Sequence, residues 1–257
     1  MDLRLRGRIA LVMASTSGLG AATAAALAAE GARVIVTGRN ADKAASFASR
    51  LPEAVAVAAD ISEPAGVQQL VDETIARLGQ PDIVVLNGPG PSPSSASDMT
   101  PKDAAQAVDL LLMPQLDVLN RTVPQMRQQG WGRVLAIGSA GVEAPIPMLT
   151  ASNVGRAALS AYLKTLAGEV AVDGVTVNML LPGRIATARV ESLDEAAAQR
   201  AGQTHDKVRA RSEQSIPARR YGTADEFGSI AAFLCGHQAA YITGSRVRCD
   251  GGMLGNL

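Results

Sequence analysis

The sequence predicts an α/β fold: a doubly wound parallel sheet of seven strands, in three layers with helices on both faces. Apolar runs and helical patterns alternate from end to end. Most of the runs are continuous rather than alternating, as strands covered on both faces are. Two irregular, polar segments (88–100 and 184–221) each follow a strand, where open α/β sheets bind ligands. The expected strands are 9–14, 32–37, 54–58, 82–86, 133–138, 175–181 and 246–250. The expected helices are 18–30, 41–50, 64–78, 101–128, 151–172 and 224–236, with weak helical character at 191–215. Pro64 and Pro101 sit where a first helical turn tolerates proline, and Asp60, Ser62 and Thr100 are candidate caps. No repeat and no second domain interrupts the pattern, so residues 1–257 read as one domain.

The bulk properties narrow the function. The chain has 257 residues, 47% of them hydrophobic. A domain of this size buries roughly three quarters of its unfolded surface. Lys+Arg and Asp+Glu are both 24, and this balance argues against nucleic acid or an anionic membrane as the main partner while permitting self-association. Two cysteines, Cys235 and Cys249, are too few for a disulfide framework and suit a reducing cytosol. No apolar run approaches the ~18 residues of a membrane span. The charged, short stretch Met1 to Arg8 lacks a signal-peptide core, so a cytoplasmic location is expected. No metal site is expected.

The chemistry begins after the first strand. Ala14-Ser15-Thr16-Ser17-Gly18-Leu19-Gly20 leads into an Ala-rich helix. Gly18 and Gly20 let backbone approach a pyrophosphate, and the helix start offers free N–H groups and the positive end of a dipole. A Gly-x-Gly between strand and helix is the Rossmann-type context for a dinucleotide. Strand two ends at Thr37-Gly38-Arg39-Asn40, with no acid to take ribose hydroxyls, while Arg39 can grip a 2′-phosphate. NADP(H) is therefore expected over NAD(H). Asp60 is placed to accept from the adenine amino group, and Asn87 to lie beside the cofactor.

These residues resemble the short-chain dehydrogenase/reductase family along nearly the whole chain. Ser17-Gly18-Leu19-Gly20 resembles the end of its glycine-rich motif, with Met13-Ala14 where Thr-Gly is usual. Ala59-Asp60-Ile61 resembles its adenine segment, and Leu86-Asn87-Gly88-Pro89-Gly90 its Asn-Asn-Ala-Gly, rearranged. The run from Gly132 to Ser139 resembles the strand ending at the catalytic serine. Val175-Thr176-Val177-Asn178, then Pro182-Gly183 and Thr187, resemble the segment that holds the nicotinamide. Tyr241-Ile242-Thr243-Gly244 and Asp250-Gly251-Gly252 match its C-terminal signature. The resemblance implies sheet order 3-2-1-4-5-6-7, a homodimer or homotetramer, and a small-molecule substrate under a lid at 184–221. It implies cofactor contacts from Ser15, Ser17, Gly18, Leu19, Gly20, Arg39, Asp60, Ile61, Asn87, Gly88, Arg156, Pro182, Gly183, Ile185 and Thr187.

The catalytic positions depart from the family. Its hydride chemistry uses a tyrosine, a lysine four positions on, a serine and an asparagine. Here Arg156-Ala157-Ala158-Leu159 aligns with Lys-Ala-Ala-Leu, which puts Arg156 in the lysine position and Ser152 in the tyrosine position. Leu111 falls near the asparagine, so only Ser139 is retained, and the catalytic candidates are Ser139, Ser152 and Arg156. Setting Leu149 and Asn153 as the pair recovers no tyrosine. Tyr162 lies about 15 Å further along the helix and reads as a packing residue. A serine hydroxyl, with a pKa far above the ~10 of tyrosine, is a poor general acid, and a permanently charged arginine shuttles no protons. Three functions follow. One is a carbonyl/alcohol oxidoreductase with another proton donor, either water held by Ser139 and Ser152 or His205 from the lid. The second is a cofactor-binding sensor or oligomer partner without turnover. The third is a lyase resembling the halohydrin dehalogenases.

Overall fold

The computed structural model describes residues 1–256. All seven strands pair in parallel, in the order β3-β2-β1-β4-β5-β6-β7. They are β1 (Ile9–Val12), β2 (Arg33–Gly38), β3 (Ala54–Ala58), β4 (Ile83–Leu86), β5 (Gly132–Ile137), β6 (Val175–Pro182) and β7 (Arg246–Cys249). The expected order is therefore observed. The register steps residue for residue, Leu11 beside Ile35 and Val84, and Val134 beside Val177.

Two cores sandwich the sheet, because successive strand residues face opposite sides. Leu11, Val84, Val134 and Val177 face α3 (Pro64–Arg77), α5 (Met113–Gln128) and α6 (Thr150–Val170). Ala10, Val12, Ile83, Val85 and Leu135 face α1 (Gly18–Ala29), α2 (Ala41–Ala48) and α9 (Ala224–Cys235). The continuous apolar strands are explained: both faces are covered. Trp131 lies between the guanidiniums of Arg8 and Arg133, 3.9 and 4.4 Å from its ring centre. Among the described residues no helix is long and apolar enough to cross a membrane.

Three expectations need correction. The helix expected over 101–128 is two helices, α4 (Pro101–Leu111) and α5, parted at Leu112. Pro114 is the cause, since its ring cannot donate to Leu110 and crowds that carbonyl. Neither Asp60 nor Ser62 caps α3, whose N-cap is Glu63. Asp60 instead accepts from the Ser62 backbone and hydroxyl, at 3.0 and 2.6 Å. The segment 184–221 is more regular than expected. It forms α7 (Ala188–Ala201) and α8 (His205–Ser215), capped by the Thr187 and Thr204 hydroxyls, and Gly202 ends α7 in the left-handed conformation. Thr100 does cap α4, in a reciprocal box with Asp103.

Candidate active site

The C-terminal ends of β1, β2, β3 and β4 converge around the start of α1. Ala14 leaves β1 with φ +47°, a left-handed conformation that suits glycine. The Asn87 amide, at the end of β4, donates to the Ala14 carbonyl at 3.1 Å. A Cβ on Gly20 would sit 2.6 Å from both that carbonyl and the Asn87 amide nitrogen, so only glycine lets α1 start this close. The start of α1 has no side-chain cap and no acid in its first turn. Gly18 is exposed and faces open space. This is a cradle of unsatisfied N–H groups with room for an anion, the donor set a pyrophosphate needs.

Arg39 stands exposed at the end of β2, among the described residues without an acidic partner within 4.0 Å. Its charge reaches Asp60 at the end of β3. The carboxyl of Asp60 is held below its ordinary range by the Ser62 hydroxyl, by the Ser62 backbone and, less, by Arg39. Ile61 is buried beside it, and Gly88 lies next to Ile61 and Gln115.

Several of the expected contact residues also have roles within the fold. The Ser15 hydroxyl is fully buried, donating to Val12 and accepting from the Thr37 backbone, so it ties β1 to β2. Leu19 packs against the α1–α2–α9 core. Pro182-Gly183 lies tight on the end of β7, the Gly183 N–H donating to Cys249 at 2.9 Å. Ile185 is 3% exposed, its side chain in the core against Gly222. The Thr187 hydroxyl caps α7, accepting from Val190. The side chains of Ser15, Ile185 and Thr187 have these roles within the fold.

The second half of the site forms where β5 meets α6. Ser139 follows β5, and its oxygen accepts from the Gly141 N–H at 3.1 Å. Ser152 lies in the first turn of α6 and Arg156 one turn on. The Arg156 Nε donates to the Ser152 oxygen at 3.3 Å, and its Nη1 to the Ile137 carbonyl at 2.9 Å. Arg156 is thereby tied to the end of β5, two residues before Ser139. Burial, with the like charge of Arg189 adding, lowers its pKa to about 10, which leaves it charged at neutral pH. Both serine oxygens thus have a donor aimed at them, and both hydroxyl protons remain free to donate.

Neighbouring residues have other work. Asn153 hydrogen-bonds the Ile146 backbone and shapes the loop before α6. Leu111 is buried against Gly155, where α4 and α6 approach. Tyr162 packs against the α5–α6 side of the core, and burial raises its pKa. The His205 ring nitrogens lie 3.1 Å from Glu191 and 3.5 Å from Asp206, both carboxylates of the same segment.

Three features lay beyond sequence reasoning. Asp194, 1% exposed, pairs with Arg184 at 2.8 Å and accepts from the Tyr221 hydroxyl at 2.7 Å, which locks α7 over the end of β6. Ser94 bonds the start of α6, accepting from the Ala151 N–H at 3.2 Å. Arg189 reaches from α7 to the Pro91 carbonyl at 3.0 Å. The threonine caps and Gly202 signalled α7, but nothing in the sequence paired these residues.

Comparison with known proteins agrees with this architecture. Residues 13–254 match a family model described as enoyl-(acyl carrier protein) reductase. The NADPH-dependent reductase BacG of Bacillus subtilis is 30% identical, over 97% of this chain and 99% of its own. The 3-oxoacyl-[acyl-carrier-protein] reductase FabG of Escherichia coli is 30% identical, over 98% and 99%. The structure of L-sorbose reductase from Gluconobacter frateurii, complexed with NADPH and L-sorbose, superposes with a TM-score of 0.93 at 29% identity and covers 100% of both chains. The chain belongs to the short-chain dehydrogenase/reductase family.

Proposed function

We propose that this protein is an NADP(H)-dependent oxidoreductase that interconverts a carbonyl compound and its alcohol through an atypical proton-handling site. The observation that carries the reading is the pair of serine hydroxyls, Ser139 and Ser152, each accepting from a fixed N–H and so left with its proton to give. Two such donors polarise a carbonyl oxygen and stabilise the negative charge that grows on it. Arg156 keeps the Ser152 oxygen occupied and adds a permanent positive charge beside it.

Reduction adds a hydride to the carbonyl carbon and a proton to its oxygen. When bound, the nicotinamide supplies that hydride and takes it back in the reverse direction. The alkoxide is held by the two hydroxyls and takes its proton from water at Ser152, because no side chain at the tyrosine position titrates near neutrality. Gly18, Gly20 and the start of α1 would hold the pyrophosphate, Arg39 the 2′-phosphate, Asp60 the adenine, and Asn87, Gly88 and Pro182-Gly183 the nicotinamide half. A relative named as an NADPH-dependent reductase and a similar reductase structure complexed with NADPH support the cofactor. The preference for NADP(H) over NAD(H) rests on Arg39 and the lack of an acid beside it.

The test is NADPH oxidation followed by absorbance across diketones, quinones and acyl thioesters, with cofactor binding measured separately by fluorescence. Binding with turnover of any of these, lost in Ser139→Ala, supports the reading. Binding of NADPH without turnover of any would replace it with a cofactor-binding role. Self-association belongs to the same reading: α5 and α6 leave a groove of about 170 Å³ beside Tyr162, a face that a second copy would cover. A dimer or tetramer mass on size-exclusion chromatography is the expected result.

A further inference from the structure

The arginines around the site are not equivalent. Arg184 pairs with Asp194, Arg209 with Glu191 and Glu213, and Arg220 with Glu226. Arg156 and Arg189 differ. Among the described residues, neither has a carboxylate oxygen within 4.0 Å, and their hydrogen bonds go only to neutral oxygens. The Nη2 of Arg156 makes no hydrogen bond among those residues, and the side chain is only partly buried, so this edge of the guanidinium is open to a ligand.

The chain between them ties together the elements that carry these two cations. Arg189 crosses from α7 to Pro91, lying so close over Gly90 that a Cβ there would sit 3.1 Å from its Nη2. Three residues on, Ser94 is bonded to Met148, just before α6, and to Thr150 and Ala151, which begin it. Arg156 projects from that helix toward Ser152 and the end of β5. Arg189 is also the one charged group that acts on Arg156, and it does so as a like charge. Arg156 is partly buried and Arg189 exposed, and the repulsion between them is relieved when an anion lies between the two.

The geometry points to an anion site between Arg156 and Arg189, in which the substrate's own carboxylate, close to its reacting carbonyl, is held by both guanidiniums. This rests on the oxidoreductase reading above and names the substrate class: oxo acids, and hydroxy acids in the reverse direction. A guanidinium fork matches a carboxylate in shape as well as charge. Arg189 serves as a gatepost because it rides on α7, and carboxylate binding ties that helix to α6.

The probes are pyruvate, acetoacetate and levulinate, each set against its methyl ester. Turnover is followed by NADPH oxidation, and binding to the NADPH-loaded protein by calorimetry. At least one acid is expected to exceed its ester in kcat/KM, and Arg189→Glu is expected to lower that acid-to-ester ratio about tenfold or more. An NADPH titration of the variant reports whether the cofactor site is intact, and Arg189→Lys is expected to restore part of the ratio. Acids and esters treated alike by the wild type, or a ratio unchanged in Arg189→Glu, would overturn the anion site and leave the oxidoreductase reading standing. Acids that bind through Arg189 without any NADPH oxidation would keep the anion site and remove the oxidoreductase reading. Absence of binding and of turnover for every acid overturns the inference.

Discussion

The two halves of the crevice are built from different materials. The β1–β4 side is backbone and buried hydroxyl: the Gly18–Gly20 turn, the Ala14 carbonyl gripped by Asn87, and Ser15 bridging β1 to β2. The side formed by β5, α6 and the segment after β6 is side chain and charge: Arg156 on Ser152, Asp194 between Arg184 and Tyr221, and Arg189 on the Pro91 loop. A backbone cradle holds phosphate whatever the neighbouring side chains become. A side-chain site is rewritten by single substitutions. On the proposed reading, that difference accounts for a cradle that keeps the family's glycine turn beside catalytic positions that depart from it.

The largest effect that would sharpen the contrast is at Ser139. Ser139→Ala is expected to lower kcat about 100- to 1000-fold while NADPH still binds, since one of two charge-stabilising donors is lost. Equal loss of cofactor affinity, measured by fluorescence titration, would mean that the halves are not separable. Next is Asp194→Ala. It removes the acceptor of the buried Tyr221 hydroxyl and the partner of the partly exposed Arg184, which is expected to cost about 1–2 kcal/mol, read as a lower denaturation midpoint. An unchanged midpoint would show that the charged half is not held by this triad.

On the cradle side, Arg39→Asp is expected to weaken NADPH about 10- to 100-fold and to spare NADH, in paired titrations. Loss of both cofactors together would place Arg39 in the fold rather than at a phosphate. The smallest effect is at Ala14, where φ is +47°. Ala14→Gly is expected to gain about 0.5–1 kcal/mol, as relief of left-handed strain exceeds the added chain entropy. A thermal melt in which glycine is no better than alanine would show that the cradle carries no strain there.

How much of this was legible in the sequence depended on the range of the interaction involved. Strand positions were legible because covered strands are continuous in apolar residues, and only their ends shifted, as at 9–14 against Ile9–Val12. The break at Leu112 was missed although Pro114 announced it, because the apolar pattern runs on through the proline. The cradle was legible because Gly18 and Gly20 encode close approach locally. The internal roles of Ser15, Ile185 and Thr187 were not legible, since a motif places a residue along the chain but not the direction of its side chain.

By itself, then, the sequence determined the alternation of strands and helices, the glycine turn and the missing acid beside Arg39. These are properties of neighbours in the chain, carried by periodicity and by backbone freedom. The tertiary structure alone decided which arginines are neutralised. Asp194 meets Tyr221 across 27 positions, and Arg189 meets Pro91 across 98. Charge interactions depend on distance in space and on exclusion of water, neither of which a linear pattern contains.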